Sequence, residues 1–156
     1  APAPVDVINP VTRIAGAGDV AAAEWIRGHT PPDARFLVTV GHWHLGTYRG
    51  LDGGYWLPLL ADRLTTMPGA LYSFGPPAEV RRITAFAVEA AKGDSLTPEE
   101  LSALMDRGHA DYVYLGPLGQ GLGGGLTLDR LRRQPDLVEV HAAGGAHVFK
   151  RRAPGP

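Results

Sequence analysis

The stretch RFLVTV at residues 35–40 decides the fold class of this chain, because its β-branched and aromatic residues are those of a buried strand. A helix is predicted just before it. Asp19 is a suitable N-cap, and the apolar residues that follow it fall on one helical face through residue 27. A helix leading into a buried strand indicates an α/β arrangement.

The alternation of helix and strand continues along the chain. A second run with strand composition, DYVYLG, occupies residues 111–116. Thr97 and Glu100 form a capping box, which is the sequence signature of a helix start. The other predicted elements are short helices at residues 57–62 and 128–133, a short strand at 63–67, and longer helices at 76–91 and 98–107.

The end of the chain predicts an antiparallel hairpin. Residues 137–141 and 146–151 flank Gly144 and Gly145, which tolerate the positive φ angles of a tight turn. The predicted fold class is therefore α/β: a small mixed sheet with flanking helices, in a Rossmann-like layering, that ends in a hairpin.

The chain length fits one domain, since 156 residues lie within the roughly 100 to 200 residues of a single core. Residues 19–150 form the predicted α/β domain. Residues 1–18 are rich in Pro, Ala and Gly and are predicted to be a tether, and residues 151–156 a disordered tail. The start at Ala1, without Met, is what an excised piece or a mature form would show.

Composition excludes several classes of protein. With 15 basic and 16 acidic residues the chain has no positive field to attract nucleic acid. The absence of cysteine excludes disulfides, thiolate catalysis and cysteine-ligated metals, and leaves the compartment undecided. No stretch reaches the roughly 18 apolar residues that a membrane helix needs.

The glycine-rich run GQGLGG at residues 119–124 matches the dinucleotide-binding pattern G-x-G-x-x-G, with Glu139 downstream. The context argues against that function. Gly116 and Pro117 end the strand before the glycines, and the following helix is too short for a normal crossover. A flexible loop is the favoured interpretation, and no cofactor is predicted.

No catalytic residue is predicted. The only serines, Ser73, Ser95 and Ser102, lie outside any nucleophile motif. His42 and His44 flank Trp43 after the first strand, and both imidazoles could reach one metal ion with Asp52 as a third ligand. Two loop histidines do not complete a site, so no metal is assigned.

The best candidate binding surface follows the first strand. Residues 42–55 are predicted to be irregular, and long irregular loops in compact domains are often functional. Aromatic rings and an arginine suit sugars and phosphates, and the alternative is that the same side chains pack the core and hold the loop. The candidate ligand-binding residues are His42, Trp43, His44, Asp52, Tyr55, Trp56 and Arg63, with Tyr72 nearby.

Several stretches together resemble a known class of protein. These are AAAEWIRGHTPPDARFLV at residues 21–38, DGGYWLPLLADRLTTMP at 52–68, DYVYLG at 111–116, and the closing hairpin. Their order is similar to the soluble C-terminal region of large bacterial polytopic membrane proteins of the glycosyltransferase-like (GT-C) type, which use lipid-linked sugars. The resemblance spans roughly residues 9–150, and its motifs are packing and turn signatures.

The resemblance implies a role that depends on a missing part. In that class the catalytic carboxylates lie in loops near the first membrane helices, outside this chain. The chain would be an accessory domain on the extracytoplasmic face of the cell membrane, with the membrane-embedded part of the same polypeptide as its partner and a lipid-linked sugar or acceptor as a possible ligand. The alternative is a structural or protein-interaction module of a membrane protein.

Overall fold

The computed structural model describes residues 14–119 and 125–153. Its strands are β1 (Arg35–Leu37), β2 (Val40–His44), β3 (Thr47–Gly50), β4 (Leu64–Thr65), β5 (Tyr112–Leu115), β6 (Leu137–Ala143) and β7 (Ala146–Arg151). Five of these form one mixed sheet in the order β4, β1, β5, β7, β6, and β2 pairs with β3 in a separate two-stranded sheet. The predicted fold class, a small mixed sheet with flanking helices and a closing hairpin, is confirmed.

Connection lengths explain the strand directions. Strand β1 pairs in parallel with β4 and β5, because helical segments carry the chain back between them. Strand β7 pairs antiparallel with β5 and β6. The two-residue turn between β6 and β7 has positive φ at both Gly144 (60°) and Gly145 (81°), as the sequence predicts.

The helices are α1 (Ala17–His29), α2 (Leu57–Leu60), α3 (Pro77–Ala90), α4 (Pro98–Arg107) and α5 (Leu128–Arg132). The predicted capping box opens α4: the Glu100 N–H donates to Thr97 Oγ1 at 3.2 Å, and the Thr97 N–H donates to Glu100 Oε2 at 2.7 Å. Helix α1 begins two residues before the predicted N-cap, so Asp19 lies inside its first turn and accepts from the Gly16 N–H at 2.8 Å.

The hydrophobic core lies between the sheet and the helices. All four residues of β5 are buried, as expected of a central strand, and the rings of Phe36 and Tyr112 stack across β1 and β5 with centroids 5.0 Å apart. Leu101 and Met105 bring α4 onto the same core. No helix within the described residues is long and apolar enough to cross a bilayer.

The structure corrects the prediction for residues 42–55. Most of this segment is a β-hairpin rather than an irregular loop, followed by a 3-10 turn at Gly53–Trp56. Strand residues such as Trp43 and Tyr48 favour pairing, but Gly41, Gly46 and Gly50 interrupt the sequence pattern that would reveal it. The predicted strand 35–40 is accordingly divided, with β1 ending at Leu37 and β2 starting at Val40.

Two short elements are smaller than predicted. Strand β4 contains two residues, Leu64–Thr65, instead of the predicted 63–67, and α2 ends at Leu60. The predicted tail begins too early, because Arg151 is paired with Leu137 in the sheet. Most of the glycine-rich match at 119–124, most of the predicted tether and residues 154–156 lie outside the described residues.

Candidate functional site

The β2–β3 hairpin forms a face of the domain together with the two 3-10 turns at Gly53–Trp56 and Ala70–Phe74; we call this the hairpin face. The strands are joined by the two-residue loop Leu45–Gly46, with φ of 45° and 76°. Two successive positive φ angles define a type I′ turn, in which Asn or Gly is preferred at the first position. Leu45 therefore adopts a left-handed conformation that few apolar residues tolerate.

The hairpin face exposes large apolar side chains. Leu45 is 88% exposed and Trp43 is 53% exposed, and on the Ala70–Phe74 turn Leu71 and Phe74 are 79% and 87% exposed. Scattered single apolar residues are normal on a protein surface, whereas these four lie on two adjacent elements. The two elements are joined by a hydrogen bond from the Tyr48 N–H to the Tyr72 hydroxyl at 3.0 Å.

The two histidines that raised the possibility of a metal site are both exposed. The Gly46 N–H donates to His42 Nε2 at 3.3 Å, and the His42 ring meets Tyr48 edge to face at 5.6 Å. An irregularity in the strand register separates His42 from His44. Within the described part of the chain, no three His, Cys, Asp or Glu side chains converge on a possible metal position.

Aromatic rings on this face are held in fixed orientations. The Arg49 guanidinium lies 5.1 Å from the centre of the Trp43 ring, within cation–π range. Trp56 is 39% exposed and packs edge to face on Tyr55 at 5.3 Å. The Tyr55 hydroxyl accepts from the Ala70 N–H at 3.1 Å, which fixes its position. Held aromatic faces of this kind bind sugar rings and apolar surfaces.

Asp52 lies beneath the hairpin face, fully buried at the end of the hairpin. Its Oδ2 accepts from the Gly116 N–H at 2.7 Å and its Oδ1 from the Gly54 N–H at 2.9 Å. The carboxylate thus joins the carboxyl end of β5 to the chain leaving β3. Burial, with the nearby Asp19 charge adding to it, raises the pKa of Asp52 to about 6 against the lowering effect of these bonds.

A second buried carboxylate, Asp19, accepts a hydrogen bond from the Tyr114 hydroxyl at 2.7 Å. Burial and this bond to Asp19 raise the pKa of Tyr114, so the phenol stays protonated and donates. We call Asp19, Asp52 and Tyr114 the carboxylate anchor. It connects the first turn of α1, the hairpin return and the central strand β5.

Glycines allow the carboxylate anchor to close. A Cβ at Gly53 would overlap the Asp19 carboxylate, and one at Gly119 would overlap that of Asp52. A Cβ at Gly116 would lie 2.6 Å from Asp19 Oδ1. Backbone approaches the acidic groups this closely only where side chains are absent. In the described residues, the polar atoms of the anchor are directed at each other and at backbone N–H groups.

The guanidinium of Arg63 is hydrogen-bonded to groups of its own domain. Its side chain is buried, and its guanidinium donates to Thr30 Oγ1 and to the carbonyl oxygens of Arg27, Thr30, Ala61 and Asp62 at 2.8–3.1 Å. These bonds satisfy the C-terminal carbonyls of α1 and fix the turn before β4. The sequence placed Arg63 among the ligand-binding candidates, and in the structure its guanidinium is bonded to groups of its own domain.

Sequence reasoning missed several residues. Leu45, Leu71 and Phe74 were not among the candidates, although an apolar residue before a glycine in a tight turn is a detectable signal. Asp19 and Tyr114 had no signal as a pair, because they are far apart in sequence and meet only in the fold.

Comparisons with known proteins find a similarity in structure. No protein-family model matches the chain, and no curated protein matches its sequence. Among solved structures, the chain is similar to the C-terminal globular domain of an oligosaccharyltransferase from Archaeoglobus fulgidus, with a TM-score of 0.51 and 9% sequence identity. The match covers 85% of this chain and 95% of that one, which shows a shared fold across nearly the whole domain.

Proposed function

We propose that this chain is an accessory domain of a membrane glycosyltransferase-like protein and is not catalytic by itself. Its partner is the membrane-embedded part of the same polypeptide, on the extracytoplasmic face of the membrane. The hairpin face is the surface that meets that partner and helps to cover its substrate site, where a lipid-linked sugar or an acceptor binds.

The observation that carries this proposal is the tip of the hairpin. The Leu45 side chain is 88% exposed, so its contact with water is unfavourable. The Leu45 backbone has a left-handed conformation, which is also unfavourable for leucine. Asn at this position would relieve both problems. An apolar side chain kept in such a place is explained by a partner that buries it, as are Phe74 and Leu71 on the neighbouring turn.

Fold and sequence both support a membrane-embedded partner of the glycosyltransferase-like class. The related fold belongs to the C-terminal globular domain of an oligosaccharyltransferase, and the sequence independently resembles the soluble C-terminal regions of glycosyltransferase-like membrane proteins. Such domains are parts of larger membrane proteins. Neither similarity identifies the donor or the acceptor.

The ligand contacts that we propose come from the exposed candidates. Trp43 and Trp56 offer exposed ring faces for stacking on a sugar, and His42 and His44 offer ring nitrogens for hydrogen bonds to hydroxyls. Asp52 supports this surface from below through its bonds to Gly54 and Gly116. Because the surface is only one wall of a site, the isolated chain should bind sugars weakly.

The second candidate function is a structural module that stabilises a membrane protein without touching substrate. The bonding of Arg63 favours this alternative for part of the predicted surface, since its donors face carbonyl groups of the domain itself. Substituting Trp56 in the complete polypeptide separates the two functions. Reduced turnover per folded molecule supports the substrate role, and reduced stability with unchanged turnover supports the structural one.

Photo-crosslinking in the complete polypeptide tests the proposed docking. A benzoylphenylalanine at position 45 should crosslink to the membrane-embedded part. The matched control is position 133, at the end of α5, where Arg133 is also exposed and its side chain makes no hydrogen bond or ion pair within the described residues. Equal crosslinking from both positions, or a reading frame without apolar spans around the domain, would contradict the proposal.

A further inference from the structure

We infer that this domain carries a phosphate-binding pocket built by the start of β1, the end of β4, α3 and the end of α4. The pocket encloses about 250 Å³. This is below the roughly 300 to 1,000 Å³ of sites for drug-sized ligands, so the pocket suits one small group. We call it the basic pocket, and the inference does not depend on the proposed docking function.

Positive side chains dominate the basic pocket. Arg35, Arg82 and Arg107 line it together with His109, and Glu79 is the only acidic residue among the lining residues. The formal charge of the whole chain is −1, so this local excess of arginine is a feature of the site rather than of the protein. Arginine pairs with phosphate oxygens through a planar fork of N–H donors.

The donors of the pocket are available. In the described residues, no hydrogen bond or ion pair engages the guanidinium groups of Arg35 and Arg82. Arg107 meets Glu89 only at 3.4 Å. The Thr66 hydroxyl is shielded from solvent and has no hydrogen-bond partner. Because the same shielding keeps solvent from this oxygen, the available donors of the pocket are those of its arginines.

The backbone at the end of α4 shapes the pocket. Gly108 has no room for a side chain, because a Cβ there would lie 2.9 Å from Thr66 Cγ2 and 3.0 Å from Phe86 Cζ. His109 follows with a left-handed φ of 49°, where glycine or asparagine is the usual choice. His109 lines the pocket although its backbone conformation is an unfavourable one.

The ligand that fits this chemistry is a phosphate group, either free, as in inorganic phosphate or a sugar phosphate, or as the headgroup of a lipid. Three arginines supply enough charge-assisted donors for its oxygens. Because most of these side chains are partly exposed, we expect a dissociation constant of about 1 mM.

NMR titration of the 156-residue chain tests the inference. The probes are inorganic phosphate, glucose 1-phosphate, and phosphatidylcholine vesicles containing phosphatidic acid, at an ionic strength held constant with chloride because salt screens exposed charges. Arg82→Ala should weaken binding about tenfold. The matched control is Arg81→Ala, which removes an exposed arginine of the same helix that does not line the pocket.

Two results support the pocket and identify the source of the phosphate. Saturable shifts with the two soluble probes whose dissociation constants rise about tenfold in Arg82→Ala, but not in Arg81→Ala, indicate a free phosphate. Vesicle binding alone, weakened in Arg82→Ala but not in Arg81→Ala, indicates a lipid headgroup. The inference is overturned if none of the three probes gives a saturable response, or if the two arginine variants lose binding equally.

Discussion

The interior of this domain and its hairpin face differ in whether side chains that are unfavourable in their surroundings find partners within the domain. The interior buries charged side chains, Asp52 and Arg63 among them, and gives each of them several hydrogen bonds. The hairpin face exposes apolar side chains, chiefly Leu45 and Phe74, and none of the described residues covers them. Groups that are satisfied within the domain stabilise the fold, and groups left unsatisfied indicate a partner.

This difference affects which polar side chains can be regarded as ligand-binding candidates. Aspartate and arginine beside aromatic rings are easily interpreted as ligand-binding groups, but burial decides whether a ligand reaches them. Asp52 is 0% exposed and Arg63 is 7% exposed. Both are bound by their own domain, so we expect their substitution to affect stability first and any binding only through it.

Arg63→Ala is expected to have the largest effect. It removes five hydrogen bonds from one buried guanidinium, two of them to carbonyl oxygens at the end of α1, and a buried network of this size is worth about 4 kcal/mol of unfolding free energy. Urea denaturation measures the loss. The control, Arg133→Ala, removes an exposed arginine and should change stability by less than about 0.5 kcal/mol. Similar values for both variants would show that Arg63 is not a structural residue.

The pH dependence of stability tests the carboxylate anchor. The folded-state pKa of Asp52 is raised from 3.8 to about 6, so between these values the folded protein binds the proton more tightly than the unfolded chain. Stability should therefore fall as the pH rises from about 4 to about 6, by at most about 3 kcal/mol, and Asp52 should add no further change above that range.

Asp52→Asn isolates this contribution, because an amide does not titrate. The difference in unfolding free energy between the natural chain and this variant should depend on pH only within that window. Urea denaturation at several pH values measures it. A difference that stays constant between pH 4 and pH 7 would contradict the burial of a titrating Asp52.

Gly53→Ala probes the packing of the anchor. The added methyl group would overlap the Asp19 carboxylate, so we expect a loss of about 2 kcal/mol. Gly28→Ala is the matched control, since Gly28 lies in α1 with nothing within 4 Å of an added Cβ. That variant should gain about 0.5–1 kcal/mol from helix propensity. Thermal unfolding of both variants tests whether the sign reverses between the two glycines.

Leu45→Asn should have the smallest effect on stability, and a favourable one. Leu45 buries almost nothing, and Asn followed by Gly46 suits the type I′ turn, so we expect a gain of up to about 0.5 kcal/mol. Gly46→Ala, in the same turn, should lose about 1 kcal/mol because its φ is 76°. Denaturation by urea checks both. A clear loss of stability in Leu45→Asn would mean that the leucine serves the fold rather than a partner.

Local sequence signals predicted much of the fold. The capping box at Thr97 and Glu100, the glycine turn before β7 and the composition of β5 each depend on neighbouring residues, and each is present where expected. The β2–β3 hairpin was missed, because its turn contains leucine in place of the usual asparagine or aspartate and glycines interrupt its strands.

The candidate surface was predicted in part for the same reason. Aromatic and histidine residues after the first strand could be identified from the sequence, and the hairpin presents them at the surface. Exposure itself is not a local property. Whether Arg63 meets a ligand or the carbonyls of Arg27 and Thr30 depends on residues more than 30 positions away, which sequence reasoning did not bring together.

By itself, the sequence determined the α/β class and the order of most elements, because hydrophobic periodicity, caps and turn residues act over a few neighbouring positions. Only the tertiary structure decided which polar groups are buried and which apolar groups are exposed. That distinction arises when distant segments pack, as Asp19 does with Tyr114 and Asp52 with Gly116. The free energy of burying a charge or exposing a leucine depends on those neighbours, and they are set by the fold.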